Sequence, residues 1–367
     1  MKKLGLLLLL LLVSLPLAAE RKYKVVPDSP EEKKLLEIQG ESDPLKRVAM
    51  LDQFSQEFAA SEALPFTYQL YLIAYLQAGQ NEKAAEWGEK AVESDTESLD
   101  VVSNLLRACQ ATGGFACVGK WSPRAVQLAR LGLANRPGDL DDVDWESRQK
   151  VLGGHLEFIE YALFDACTRD TTPERIKYLD SFAELFPASE RIKKLPALYA
   201  LAHGQANDVE KMKDYARKAI EAEPDNEQML LLVADTLVAE RKELPEAQKM
   251  AQQLLSVMEA KSRPEGIDDA GWTRYVNTYT GGAHSVLGRV LMLQEKTTAA
   301  IPELQEAMKL LEGNDQALAP VLYFLGFAYA KERRHAEART VLNEAVKIGG
   351  PYAAPSQEIL RKIRGLR

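Results

Sequence analysis

APVLYFLGFAYAKERRHAEARTVLNEAVKIGGPY, residues 319–352, decides how the chain folds. Bulky and small residues alternate here on a helical rhythm. Leu325, Tyr329 and Leu342 are large; Gly326, Ala328, Ala338 and Ala345 are small. The small positions suit places where two helices approach too closely for a larger side chain, and the large ones fill the gaps between neighbours. The polar run Lys331 to His335 separates the two halves. The segment therefore reads as two antiparallel helices joined by a turn, within a period of about 34 residues. One such pair cannot bury its apolar face alone, so further pairs must stack on it.

The same signature recurs along the chain. Pro65–Ser98 carries Tyr71-Leu72, Ala74-Tyr75, Gly79, Ala84 and Ala91; Lys193–Asn226 carries Tyr199-Ala200, Ala216, Ala219 and Pro224. In the latter, His203 stands where a repeat tyrosine is usual and Met212 where a small residue is. Gly281–Asn314 carries Leu287-Gly288, Leu291, Ala300, Leu304 and Ala307. Residues 99–137 and Glu227–Lys261 read as degenerate copies with extra residues at the turn. Apolar residues recur three and four apart, as in Ile301, Leu304, Met308 and Leu311, and strand-type alternation is nearly absent.

A longer echo overlies this period. Shifted by 128 residues, Leu45–Asp95 aligns without a gap on Pro173–Glu223, with 18 identities in 51 positions. They include Asp52/Asp180, Phe54/Phe182, Phe58/Phe186, Ser61/Ser189 and Tyr71/Tyr199. A match of this density marks an internal duplication. The expected organisation is residues 1–19 as a leader, 20–43 as a loose segment with one short helix, 44–171 and 172–299 as two long units, 300–352 as a last pair, and 353–367 as a capping helix.

These positions resemble the tetratricopeptide-repeat (TPR) family, of the exported bacterial type, over most of residues 45–352. The resemblance implies an all-α fold, a right-handed superhelical solenoid of antiparallel helix pairs. It also implies a scaffold without enzymatic activity or cofactor, whose protein or peptide partner lies along the concave face lined by the first helix of each pair. Carried onto this chain, the partner-facing positions are Gln69, Ile73 and Gln77; Leu201 and Gln205; Ser285 and Arg289; and Tyr323, Phe327 and Lys331. Apolar side chains among polar neighbours there suit a peptide or helix docking in a groove.

The N-terminus opens Met1-Lys2-Lys3, runs apolar from Leu4 to Leu17, and passes through Ala18-Ala19 to Glu20-Arg21-Lys22. A basic start, a short apolar stretch and small residues describe a secretory signal peptide cleaved after Ala19. The mature chain is then expected in the periplasm or outside the cell, serving envelope assembly or organisation. The apolar run falls short of the roughly 20 residues a spanning helix needs, and nothing later is apolar for longer. The whole chain carries a formal charge of -8; loss of Lys2 and Lys3 leaves 44 basic against 54 acidic residues, net -10. Phosphate backbones repel such a surface, so no nucleic-acid partner is expected.

Residues with chemistry to offer are sparse. Cys109 and Cys117 flank the turn Thr112-Gly113-Gly114. They either close a helical hairpin as a disulfide, as an oxidising compartment allows, or serve as two small buried hydrophobes. Gly114 to Lys120 has the spacing of a phosphate-binding loop, but Trp121 replaces the magnesium-binding hydroxyl and no strand is expected before it. The four histidines, His155, His203, His284 and His335, are far apart and none belongs to a metal-binding pair. The acidic run Asp139, Asp141, Asp142, Asp144 and Glu146 lacks the glycine and distal glutamate of a calcium loop; it reads as the capped start of a helix. No metal site is expected. Trp272, Tyr275 and Tyr279 share one side of a helix. Core packing is their first reading. The second is a stacking surface for a small ligand or glycan in a helical-repeat module of the periplasm or cell surface.

Overall fold

The computed structural model describes residues 25–95 and 97–364. The leader over 1–19 lies outside them. Seventeen α-helices and two short 3-10 turns account for the regular structure of the described residues, and no strand occurs among them. The fold is an all-α helical repeat. No helix among the described residues is long and apolar enough to cross a membrane.

The chain forms two compact units, one ending at Asp170 and one beginning at Thr171. The first holds α1 (Pro30–Gly40), α2 (Pro44–Glu57), α3 (Leu64–Gln77), α4 (Asn81–Ser94), α5 (Leu99–Thr112), α6 (Phe115–Ala134) and α7 (Asp142–Arg169). The second holds α8 (Arg175–Leu185), α9 (Leu195–Gln205), α10 (Val209–Ala222), α11 (Glu227–Glu240), α12 (Leu244–Ala260), α13 (Asp269–Leu293), α14 (Thr297–Leu310), α15 (Asp315–Lys331), α16 (His335–Ile348) and α17 (Ala353–Ile363). Within each unit every helix packs on its chain neighbour. First helices also touch the next first helix: α3 on α5 and α5 on α7 in one unit, α11 on α13, α13 on α15 and α15 on α17 in the other.

Asp43-Pro44 and Thr172-Pro173 both read in the sequence as a capping residue before a first-turn proline; the first starts α2, whereas α8 begins later, at Arg175, with Glu174 at its N-cap and no side-chain cap bond. Ser29 and Asp43 cap α1 and α2, each followed by proline at the first helical position. The acidic run opens α7: Asp141 accepts from the Asp144 amide at 2.8 Å. Its carboxylates therefore sit at the positive end of the helix dipole.

The turn between paired helices is made by the main chain. Gly79, Asn207, Glu295 and Arg333 take left-handed φ values of 69°, 59°, 62° and 59°. The next amide then donates back five residues, at 2.9 Å in all four cases: Gln80 to Tyr75, Asp208 to His203, Lys296 to Leu291 and Arg334 to Tyr329. This is the Schellman termination of a helix. Only glycine takes that φ without crowding its own Cβ. Gly79→Ala is expected to cost about 1 kcal/mol and Arg333→Gly to gain about 0.5 kcal/mol. Urea denaturation of the two variants reads both signs, and a loss from Arg333→Gly would refute the turn argument.

The 128-residue echo is present in the contacts. Tyr71 donates to Asp52 at 2.7 Å and Tyr199 to Asp180 at 2.6 Å. Phe54 packs on Phe58, and Phe182 on Phe186. Tyr71 stacks on Trp87 at 4.0 Å, and Tyr199 on Tyr215 at 4.7 Å. Ser61 accepts from the Ala63 amide as Ser189 does from Arg191. Each unit thus ties its entering helix to the next by the same phenol–carboxylate bond over the same pair of phenylalanines.

Residues 99–137 and Glu227–Lys261 are complete hairpins rather than degenerate ones, α5 with α6 and α11 with α12. Their second helices run 20 and 17 residues against the 14 of α4, which displaces the small-residue markers by which a pair is recognised. At the α5–α6 corner the sulfurs of Cys109 and Cys117 are bonded, with Cα atoms 6.0 Å apart. Cys167 is a free, buried thiol.

Candidate partner-binding face

Close packing fixes which side of α13 and α15 is left for anything else. A Cβ built on Gly288 would lie 2.5 Å from Leu304 Cγ, and one on Gly326 would fall within the Leu342 side chain. These glycines let the second helix of each pair seat directly against the first. An adjoining flank of α15 carries Tyr323, Phe324 and Phe327, half-buried and resting on the apolar cluster of the last repeats.

That flank is an aromatic surface with a charged margin. Tyr323 meets Phe324 edge-on at 5.0 Å and Tyr352 at 5.5 Å. Phe324 also reaches Tyr352, at 6.3 Å. The Lys331 ammonium sits 5.5 Å from the centre of the Phe327 ring, and the Arg289 guanidinium 5.5 Å from that of Phe324, both within cation–π range. Burial pushes the Tyr323 hydroxyl above its ordinary pKa, helped by Tyr352 and the Glu358 carboxylate, while Arg241 and Lys362 oppose the rise. Both signs of charge therefore act on one phenol.

The partner-facing positions inferred from the sequence fall into three groups. Tyr323, Phe327 and Lys331 come together on this flank. Leu201 is half-buried against the central cluster of the second unit and Gln205 is exposed. In the first unit Gln69 and Ile73 are half-buried, and exposed Gln77 accepts from Arg47 at 3.0 Å. Ser285 and Arg289 are different: each is only 6% exposed. Arg289 turns inward to pair with Asp235 of α11, so its charge is spent inside the second unit. Phe324, Tyr352, Arg241 and Lys362 join the flank without any signal in the sequence. They come from four helices or turns and are adjacent only through the fold.

The other candidates are occupied structurally. His203 is 7% exposed and stacks on Tyr199 and Tyr215, the packing expected of a residue in a tyrosine's place. Tyr275 and Tyr279 pack on the central cluster of the second unit, and Trp272 stacks on Tyr275 at 5.4 Å. The Tyr275 hydroxyl donates to Glu227, which also accepts from Lys261 at 2.6 Å. Those three groups brace α11 to α13. The residues from Gly114 to Lys120 run from the α5–α6 corner into α6. No group of three or more metal-ligating side chains occurs among the described residues.

The family model described as "Tetratricopeptide repeat" matches residues 197–226 and 319–348. Those two segments are tetratricopeptide repeats. The two matched segments are α9 with α10 and α15 with α16; the α3–α4 pair shares the turn geometry of both. No curated protein matches the chain. Among solved structures, "Crystal structure of APC/C hetero-tetramer Cut9-Hcn1" is 14% identical, with 92% of this chain and 55% of that chain covered and a TM-score of 0.40. The present chain thus spans about half the length of that one. "Crystal Structure of P58(IPK) TPR Domain at 2.5 A" is 12% identical, with 92% of this chain and 100% of that chain covered and a TM-score of 0.33.

Proposed function

We propose that this protein is an exported TPR scaffold that holds a protein or peptide partner against its first-helix flank, in the assembly or organisation of the cell envelope. Tetratricopeptide repeats support protein–protein interaction in general. The observation that carries the reading for this chain is the half-buried aromatic flank of α15. Large rings that keep part of their surface in water on one flank offer apolar area for a partner to cover. The flank has rings and cations but no set of acid, base and nucleophile, so binding rather than catalysis is its chemistry.

A photo-crosslinking amino acid placed at Phe327 tests the reading in cells. The outward position Arg339 on α16 serves as control. A discrete adduct at 327 and none at 339 is the expected result. No adduct at 327, or equal labelling at both, would overturn it. Export rests on the apolar run Leu4–Leu17 and on a bonded cysteine pair that suits an oxidising compartment. N-terminal sequencing of the protein recovered from fractionated cells should begin at Glu20; a chain still starting at Met1 would sink the cleavage.

A further inference from the structure

The flank's charges select what can lie on it. Two carboxylates near it, Asp235 and Glu358, are each held in an ion pair. Asp235 pairs with Arg289, and Glu358 with Lys362 at 2.7 Å. Two exposed cations at its margin, Arg241 and Lys331, make no ion pair among the described residues. Lys331 lies over the Phe327 ring, 5.5 Å from its centre, and the charge of Arg241, at the end of α11, is felt at the Tyr323 hydroxyl.

We infer that the α15–α17 flank of the second unit docks an acidic amphipathic segment of a partner protein, its apolar side chains on Tyr323, Phe324, Phe327 and Tyr352 and its carboxylates on Arg241 and Lys331. This rests on the scaffold reading above and narrows it to one partner chemistry. A basic segment would set like charges against two unpaired cations, and a neutral one would leave them unanswered. Charge of this kind discriminates partners and speeds encounter more than it deepens affinity. The apolar contacts hold the segment; the cations decide which segments are admitted.

Three labelled helical peptides of about 14 residues test it, long enough to hold an amphipathic face when bound. They share one leucine stripe and differ only in polar residues: glutamate, glutamine or lysine. Fluorescence anisotropy with the full-length protein should rank glutamate tightest, about tenfold over glutamine, with lysine weakest. Raising salt from about 50 to about 300 mM should erase most of that preference. Lys331→Glu combined with Arg241→Glu should invert the ranking, while Phe327→Ala should weaken all three peptides alike. Circular dichroism of each variant guards against misfolding. Equal affinities that remain sensitive to Phe327→Ala would overturn the acidic partner and leave the scaffold reading standing. No binding by any peptide would overturn both. A dimer in light scattering that Lys331→Glu dissolves would assign the flank to a second copy of this chain, against the proposal.

Discussion

Leu342→Ala should cost about 3 kcal/mol, the largest loss expected from any single substitution in the last repeat. Leu342 is fully buried, and its branch lies over Gly326 of the facing helix. Removing the branch forfeits its transfer energy and leaves a void that two stiff helices do not close. Gly326→Ala should cost about 2 kcal/mol for the opposite reason, since its new methyl enters space that Leu342 fills. The decisive measurement is the double variant. A methyl at 326 partly refills the hole left at 342, so the two losses should combine to well under their sum. Amide hydrogen exchange across α15 and α16 reads the local stability even where global unfolding is not two-state. Strict additivity would show that the two side chains do not share one space.

The second large effect concerns the α5–α6 corner. The bridge between Cys109 and Cys117 closes a loop with a sequence separation of 8. In the chain-entropy account, a loop of that size restricts the unfolded ensemble by about 2.5 kcal/mol. Cys109→Ala with Cys117→Ala should lower stability by that order. Adding reductant to the wild-type protein should reproduce the loss, and the double variant should ignore the reductant. A wild-type protein whose melting is indifferent to reductant would show that the bridge does not constrain the unfolded chain. In the second unit the position equivalent to Cys109 is Leu237, fully buried; both corners are closed by main-chain hydrogen bonds, and only the first adds a covalent bond.

The pairing of helices was readable because its determinants are local. Leu325-Gly326 and Ala345 report directly on helix contacts, and Asp43-Pro44 on a helix start. The α5–α6 and α11–α12 hairpins were harder to read. Their second helices are longer, and the α11 corner carries Arg241 at a left-handed φ of 58° where glycine would have announced the turn. The candidate flank was half legible. Tyr323, Phe327 and Lys331 follow from their spacing on one helix. Phe324 faces the same way only because α15 meets Tyr352 at the entry to α17, and Arg241 arrives from the end of α11. Ser285 and Arg289 occupy the same register as Tyr323 and Phe327, yet α13 is enclosed between α11 and α15. Register along a helix states which side a residue is on; only the neighbours decide whether that side meets water.

The left-handed corners impose one further freedom. Because amides and carbonyls close these bends, the side chains there answer to solvent alone. Glycine, asparagine, glutamate and arginine occupy equivalent corners at a modest energetic penalty. Such sites can drift in charge without disturbing the rods they join, so the rim of the array can be retuned electrically while its spacing stays constant.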